Sequence, residues 1–366
     1  MQRYLRNMDW ILVLTVAALM VTGLILIGSA THADAVASGQ NRFVLRQGLF
    51  IGINIAVVIF MMRIDYHSLT AISKQLYIFM LVLLVAVALF GHTSLGAQRW
   101  IRVGPVTFQP SEFSKALMII CLASFLDKQR EYMDSLKDYL APMAFVLVPF
   151  VLVLRQPDLG TALVFASIAC SMFWVCGFKV KWIGIAGVIG ACSAPLLWHL
   201  LHEYQRNRIR VFLDPELDPY GAGYHVIQSK IAIGSGMLFG KGWMQGTQSQ
   251  LSFLPENHTD FIFAVAGEEF GFIGVTIILL LYLVLIWRAL RIALNAEDRF
   301  GQLLATGVTG MLLFHVLVNV GMTAGIMPVT GVPLPFLSYG VSSLTTNMVM
   351  VGLLLNIHMH QARLQF

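Results

Sequence analysis

The chain has 366 residues, of which 57% are hydrophobic and only 12% charged, and its mean hydropathy is +0.75. A soluble domain carries charge on about a quarter of its residues and cannot hide this much apolar surface from water. Soluble enzymes, nucleic-acid readers and disulfide-stapled secreted scaffolds are therefore excluded, and the net charge of +5 reads as the loop bias of a membrane protein.

Hydropathy predicts about ten helices, near 10–30, 43–62, 76–90, 113–126, 139–154, 159–177, 181–201, 261–287, 301–325 and 340–358. The expected fold is an all-α polytopic membrane protein, a single integral membrane domain over 1–366. Arg3 and Arg6 precede the first apolar run, and Ala30-Thr31-His32-Ala33 faintly resembles a signal cleavage site. The run is longer than the roughly 7–15 residues of a signal core, so it reads as an uncleaved first helix. The fourth helix is short and partly polar. Cys121, Cys170, Cys176 and Cys192 all fall in apolar stretches and read as small packing residues.

An even number of spans places both termini on one side. The N-terminal tail and alternate short loops carry Arg3, Arg6, Arg63, Lys74, Lys128, Arg130, Lys137, Lys179, Lys181, Arg288, Arg291, Arg299 and Arg363, which makes that side cytoplasmic. The opposite side is also rich in cations. A long loop escapes the charge rule, which covers Arg206, Arg208, Arg210, Lys230 and Lys241, but Arg42, Arg46, Arg99, Arg102 and Arg155 sit in short connections. Interfacial snorkelling accounts for any one of them. As a set, they fit a fixed anionic ligand, and phosphate is the anion that an arginine fork suits best.

The large hydrophilic insertion, 202–259, falls on this outer side. Asp214-Pro and Asp218-Pro are turn signals, and His225–Ile233 has the helical character of an amphipathic segment lying in the interface. Gly236-Met-Leu-Phe-Gly-Lys241 resembles a phosphate-binding loop but lacks its first Gly and its Ser or Thr after the Lys, since Ser235 and Gly242 stand there. His199-Leu-Leu-His-Glu203 is not a zinc-protease motif.

Two readings of Asp260 stand side by side. It opens an apolar span, where aspartate is a favoured N-cap. It also has Glu256 and His258 just upstream and Glu268 and Glu269 within the span, and carboxylates inside a bilayer are expensive and functional by default. Asp260 then serves as a general base or as a ligand for a divalent cation. A cap would stabilise the carboxylate and make it a poor base near neutral pH, so the two readings compete. A second polar cluster joins Gly96–Arg102 to Gln109–Lys115. In it Ser111 reads as an N-cap, and Glu112 and Lys115 form an i,i+3 pair suited either to an ion pair or to binding. Asp158 in Gln156-Pro-Asp-Leu-Gly160 caps the sixth helix in the simplest reading. The last outer loop, 328–340, is apolar and proline-rich, as expected of a re-entrant or buried segment with Asn319 just before it.

Taken together these blocks resemble the SEDS family (shape, elongation, division and sporulation proteins), most closely its rod-elongation branch. The resemblance rests on Gly96-Ala-Gln-Arg-Trp100, Phe108-Gln-Pro-Ser-Glu112, Gln156-Pro-Asp-Leu-Gly-Thr161, Asp218-Pro-Tyr-Gly-Ala-Gly-Tyr-His225, Gly246-Thr-Gln-Ser-Gln250, Pro255–Phe263 and Gly331-Val-Pro-Leu-Pro335, and covers nearly the whole chain. The family commonly has Ser-Tyr-Gly-Gly-Ser where this chain has Ser338-Tyr-Gly-Val-Ser342. The resemblance implies a glycosyltransferase that polymerises lipid II into peptidoglycan at the outer face of the bacterial inner membrane, for cell elongation and rod shape. It also implies a class B penicillin-binding protein as partner, beside other membrane proteins of the elongation complex. The family's catalytic aspartate corresponds to Asp260. The expected substrate-binding residues are Arg46, Arg99, Glu112, Lys115, Asp158, Arg210, Lys230, Glu256 and His258. Mg2+ or Mn2+ is the expected cofactor, and no organic cofactor is implied. The competing readings are a lipid II flippase and a non-catalytic scaffold for the penicillin-binding protein. The outer-face clustering of polar groups favours chemistry over alternating access.

Overall fold

A computed structural model of the chain describes residues 8–94, 97–103, 106–129, 136–179, 181–182, 203–219 and 221–361. The first part of the chain gives α1 (Trp10–Ala30), α2 (His32–Ser38), α3 (Arg42–Arg63), α4 (Ser68–Ala71) and α5 (Ser73–Phe90). Three short strands follow: β1 (His92–Ser94), β2 (Ala97–Val103) and β3 (Val106–Phe108), in the antiparallel order β1-β2-β3. They correct the all-α expectation, because Gly96–Arg102 had been read only as a polar cluster. Next come α6 (Pro110–Asp127), α7 (Leu136–Arg155) and α8 (Leu159–Val175). The outer insertion folds as α9 (Glu203–Leu213), a 3-10 turn at Pro215–Leu217, α10 (Ala222–Ser235) and α11 (Thr247–Gln250). Three long helices close the chain: α12 (Ile262–Leu294), α13 (Arg299–Thr323) and α14 (Val341–Gln361).

Among the described residues seven helices are long and apolar enough to cross a membrane: α1, α3, α5, α7, α12, α13 and α14. The chain is a multi-pass, helical membrane protein. α8 is apolar but only 17 residues long. α6 carries Glu112, Lys115 and Asp127, yet most of its surface is covered by α5, α8, α13 and α14. Its polar side chains are tolerated because they meet protein partners instead of lipid. The expected span at 181–201, and with it Cys192, lies outside the described residues except for Lys181 and Trp182. Of the other cysteines, Cys121 and Cys176 are buried packing residues, whereas Cys170 is exposed.

At one end of the bundle Asp9 caps α1, accepting from the Leu12 N–H at 3.1 Å, and takes two guanidinium hydrogen bonds from Arg288 at 2.8 and 2.6 Å. At the other end the outer insertion is fastened to α12. α10 is anchored to the bundle on one face, with Lys230 and Ile231 exposed on the other. It packs on α12, with Ala232 fully buried and the Ser229 hydroxyl donating to the Thr323 carbonyl at 2.7 Å. Glycines at the contact, Gly236 and Gly267, let the two backbones approach closely.

α12 is broken at Gly271, whose φ of 64° and ψ of −165° are open essentially to glycine alone. The phosphate-loop look-alike fills the break. Lys241 and Gly242 N–H groups donate to the Glu268 and Glu269 carbonyls at 3.0 and 3.1 Å. Phe272 and Ile273 N–H groups donate to the Met237 and Leu238 carbonyls at 2.8 and 3.1 Å. The two buried acids of α12 serve the same join. The Glu268 carboxylate accepts from Lys241 Nζ at 2.7 Å and from the Gln248 and Ser249 N–H groups at 3.0 and 3.3 Å, and Glu269 accepts from the Ser29 hydroxyl. A Cβ at Gly271 would also overlap the Gly240 backbone. Gly271→Ala should therefore lower the thermal unfolding temperature in detergent by the equivalent of at least about 2 kcal/mol. Gly52→Ala, on α3 with open space around it, should leave the temperature unchanged or raise it slightly.

Candidate active site

α6 begins at Pro110, and Gln109 at the cap position makes no side-chain cap bond. Ser111 is therefore not the N-cap expected of it. It lies in the first turn and its hydroxyl donates to Asp158 Oδ2 at 3.1 Å. One turn on, Lys115 Nζ donates to Glu112 Oε1 at 2.7 Å, with both side chains buried. Asp158 does cap α8, accepting from the Thr161 N–H at 3.2 Å and the Thr161 hydroxyl at 3.0 Å. The same carboxylate lies 3.6 Å from the Arg99 guanidinium, which also donates to the Gln156 and Pro157 carbonyls. The β2 strand thus brings Arg99 over the start of α8.

The start of α12 removes the cap reading of Asp260. The helix begins at Ile262, Phe261 occupies the cap position, and no side chain caps it. Asp260 lies one residue too early. Its backbone is held by a tight turn, in which Thr259 and Phe261 N–H groups both donate to the Glu256 carbonyl at 3.2 Å, and by Asn319 Nδ2, which donates to the Asp260 carbonyl at 2.9 Å. The 328–340 segment buttresses this turn and is buried, with Val332, Leu334, Phe336 and Leu337 almost fully enclosed. Ser338 donates to the Thr259 carbonyl at 2.6 Å, and the Tyr339 N–H donates to the His258 carbonyl at 2.9 Å. Asn319 Nδ2 also donates to the Val332 carbonyl at 2.8 Å.

These pieces enclose a cavity of about 340 Å³. Its walls carry Asp260, Glu256 and His258 from one turn, Glu112 and Lys115 from α6, Asp158 from α8, Arg99 from β2 and Arg46 from α3. Burial pushes the Asp260 carboxyl up to about 6, and the neighbouring Glu256 charge adds to this, against the pull of Arg208 and Arg99. A carboxylate raised that far is a workable base near neutral pH. Its Oδ2 lies 3.4 Å from where a Cβ on Gly331 would stand.

The match to known proteins spans almost the whole molecule. Residues 9–363 fit the family of cell cycle proteins that comprises FtsW, RodA and SpoVE. The peptidoglycan glycosyltransferase MrdB of Escherichia coli K12 is 44% identical over 359 residues, covering 98% of this chain and 95% of that protein. Stage V sporulation protein E of Bacillus subtilis is 41% identical, over 95% of this chain and 96% of that one. The crystal structure of the rod shape determining protein RodA from Thermus thermophilus superposes with a TM-score of 0.72 at 31% identity, covering 98% of both chains. A chain from work on how a peptidoglycan synthase complex coordinates polymerization and crosslinking superposes with a TM-score of 0.81 at 32% identity, covering 97% of this chain and 99% of that one.

The chain belongs to the SEDS family, that of FtsW, RodA and SpoVE.

In this SEDS protein the cavity gathers every expected site residue except two. Arg210 is exposed on α9 and faces Glu203 at 3.9 Å. Lys230 is exposed on α10, its stem lying against Gly325. Residues two apart on a helix point to nearly opposite faces, so α9 presents Arg208, and not Arg210, to the cavity. Arg208 stood among the outer-face cations without being singled out. Trp100, Gln109 and Tyr339 also line the cavity and had been noted only within their motifs. The signal for Trp100 was the aromatic and β-branched composition of Trp100-Ile-Arg-Val103, closed by Gly104-Pro105, which is a strand signal.

Gly331 has a φ of 73° and touches the space beside Asp260. Gly331→Ala should strain this turn and displace the carboxylate. Polymerising activity should fall by roughly 10-fold or more, while yield and assembly in the membrane stay near wild type. A Gly331→Ala protein with undiminished turnover would detach the 328–340 segment from the chemistry.

Proposed function

We infer that the chain polymerises lipid II, with Asp260 as the base and the surrounding cations as the holder of the lipid diphosphate. The chain is a peptidoglycan glycosyltransferase of the RodA type. The observation that carries the mechanism is the uncapped, half-buried Asp260 carboxylate, raised to about 6, in a cavity that also holds Arg46, Arg99, Lys115 and Arg208.

Lipid II joins a disaccharide-pentapeptide to a polyprenyl diphosphate. The reaction we propose is a single inverting displacement. Asp260 takes the proton of the acceptor sugar 4-hydroxyl as that oxygen attacks the donor anomeric carbon. The bond from that carbon to the diphosphate oxygen breaks, and undecaprenyl diphosphate leaves with the electron pair. Fixed cations around the diphosphate stabilise the charge that grows on it. The half-buried Arg99 is braced by the Gln156 and Pro157 carbonyls, so it reaches the ligand with little ordering left to do. One key carboxylate suffices, unlike the flanking pair of a glycoside hydrolase.

Among the described residues no three His, Cys, Asp or Glu side chains gather into a metal cage. Mg2+ or Mn2+ fits this cavity in another way, since such ions take one or two carboxylates, keep waters and bind substrate phosphates. Glu256, whose charge acts on Asp260 across the cavity, is the carboxylate that would hold it, which leaves Asp260 to take the proton, and the ion would neutralise diphosphate charge.

The finer topology belongs to the same reading: ten spans, both termini cytoplasmic, and the cavity with the 202–259 insertion on the periplasmic side of the inner membrane. A class B penicillin-binding protein of the elongation complex is the proposed partner, one that crosslinks what this chain polymerises.

The test is glycan-chain formation from labelled lipid II by the purified protein with its penicillin-binding partner. Asp260→Asn and Asp260→Ala, assembled normally, should lose at least about 100-fold in turnover. Normal polymer from either variant would make Asp260 a mere structural residue. The wild-type rate should depend on pH in a definite direction. Only the ionised carboxylate accepts a proton, so kcat/KM should rise as pH increases through about 6 and level off above it. A flat profile between pH 5 and 7 would exclude Asp260 as the base.

A further inference from the structure

His315 is almost fully buried on α13 and does not line the cavity. Its two ring nitrogens meet two different parts of the site. Nε2 lies 3.3 Å from Lys115 Nζ, and Nδ1 lies 3.1 Å from the Pro333 carbonyl. An ammonium can only donate and a carbonyl can only accept. Nε2 must therefore be bare and Nδ1 must carry the proton. Both contacts independently require the same neutral tautomer.

The ring thus connects the α6 cation to the segment that flanks Asp260. Asn319, one turn further along α13, holds the Val332 and Asp260 carbonyls. One face of α13 therefore references Lys115 and Asp260 to the same backbone. Lys115 has three protons. Glu112 Oε1 takes one at 2.7 Å and His315 takes a second, which leaves the third for the cavity that Lys115 lines.

We propose that His315 is a positioning residue whose neutral imidazole holds the Lys115 ammonium at its place in the cavity wall. The proposal rests on the reading of Lys115 as a ligand of the lipid diphosphate. Without an acceptor at 315, the ammonium has only Glu112 to turn to, and it swings toward that carboxylate and away from the ligand.

The experiment measures lipid II polymerisation by the full chain with its penicillin-binding partner, separating kcat from KM, together with thermal unfolding. His315→Gln keeps an acceptor at the distance of Nε2 and should stay within about 3-fold of wild type. His315→Asn keeps a donor for Pro333 but is too short to reach Lys115, and its kcat/KM should fall about 10-fold or more. Its unfolding temperature should match that of His315→Gln. In a Lys115→Met background His315→Asn should cost nothing further, because the two act as one unit. Equal losses for Gln and Asn, no loss for Asn, or full additivity with Lys115→Met would each overturn the proposal. A silent Lys115→Met would instead sink the ligand reading of Lys115, and the proposal with it. Nitrogen-15 spectra of the ring offer a check that needs no variant. The shifts should report a proton on Nδ1 and none on Nε2 at pH 7, and the opposite tautomer or an imidazolium would reject the geometry.

Discussion

Backbone that leaves the helix inside an apolar bundle must find every hydrogen-bond partner within the protein. Among the described residues two stretches are tied to the helices in this way, and the second borders the cavity. The first is the 236–242 loop, whose amides and carbonyls complete the ladder of α12 where Gly271 interrupts it. The second is the 328–340 segment. It is tied by Asn319, Ser338 and His315, and by the Tyr282 hydroxyl donating to the Pro335 carbonyl at 2.5 Å. Single polar side chains on long helices therefore do structural work far beyond their number. They fix irregular backbone to rigid elements, and that backbone carries Gly331 and buttresses the turn that holds Asp260.

The same constraint explains why Asp260 is not a cap. A capping carboxylate accepts N–H bonds and feels the positive end of the helix, and both hold its proton affinity down. Here Phe261 takes the cap position, and Asn319 grips the Asp260 carbonyl rather than its side chain. The carboxylate is left to burial and to the Glu256 charge, which push it upward. Asp158 shows the contrast within one cavity. It accepts from Thr161 and Ser111 and faces Arg99, so it is committed to holding the walls together.

The helices were readable because crossing a bilayer demands long apolar runs, which hydropathy detects whatever the tertiary fold. The site was readable in its residues more than in its contacts. Glu112, Lys115, Asp158 and Asp260 were found because buried charge is rare in such runs. Arg208 rather than Arg210 lines the cavity, a distinction that needed the phase of α9, which a short polar helix does not reveal. Lys230 lies outside the cavity lining because α10 packs on α12 with its lysine outward. The β strands were missed because they are only three to seven residues long and sit between spans that dominate the pattern. His315 drew no notice, because a lone histidine in an apolar helix means nothing until its two neighbours are known.

The charges of the cavity lining nearly balance among the described residues: Arg46, Arg99, Lys115 and Arg208 against Glu112, Asp158, Glu256 and Asp260. The site is thus not a bare positive hole. Its cations are already oriented by carboxylates, as Lys115 is by Glu112 and Arg99 by Asp158. A diphosphate entering this lining adds negative charge close to Asp260, and like charge raises the proton affinity of a carboxylate. Binding of the donor would therefore strengthen the base that the acceptor needs. The departure of the diphosphate would reverse the effect and favour release of the captured proton. On the proposed reading, substrate charge and base strength would be coupled within one cavity.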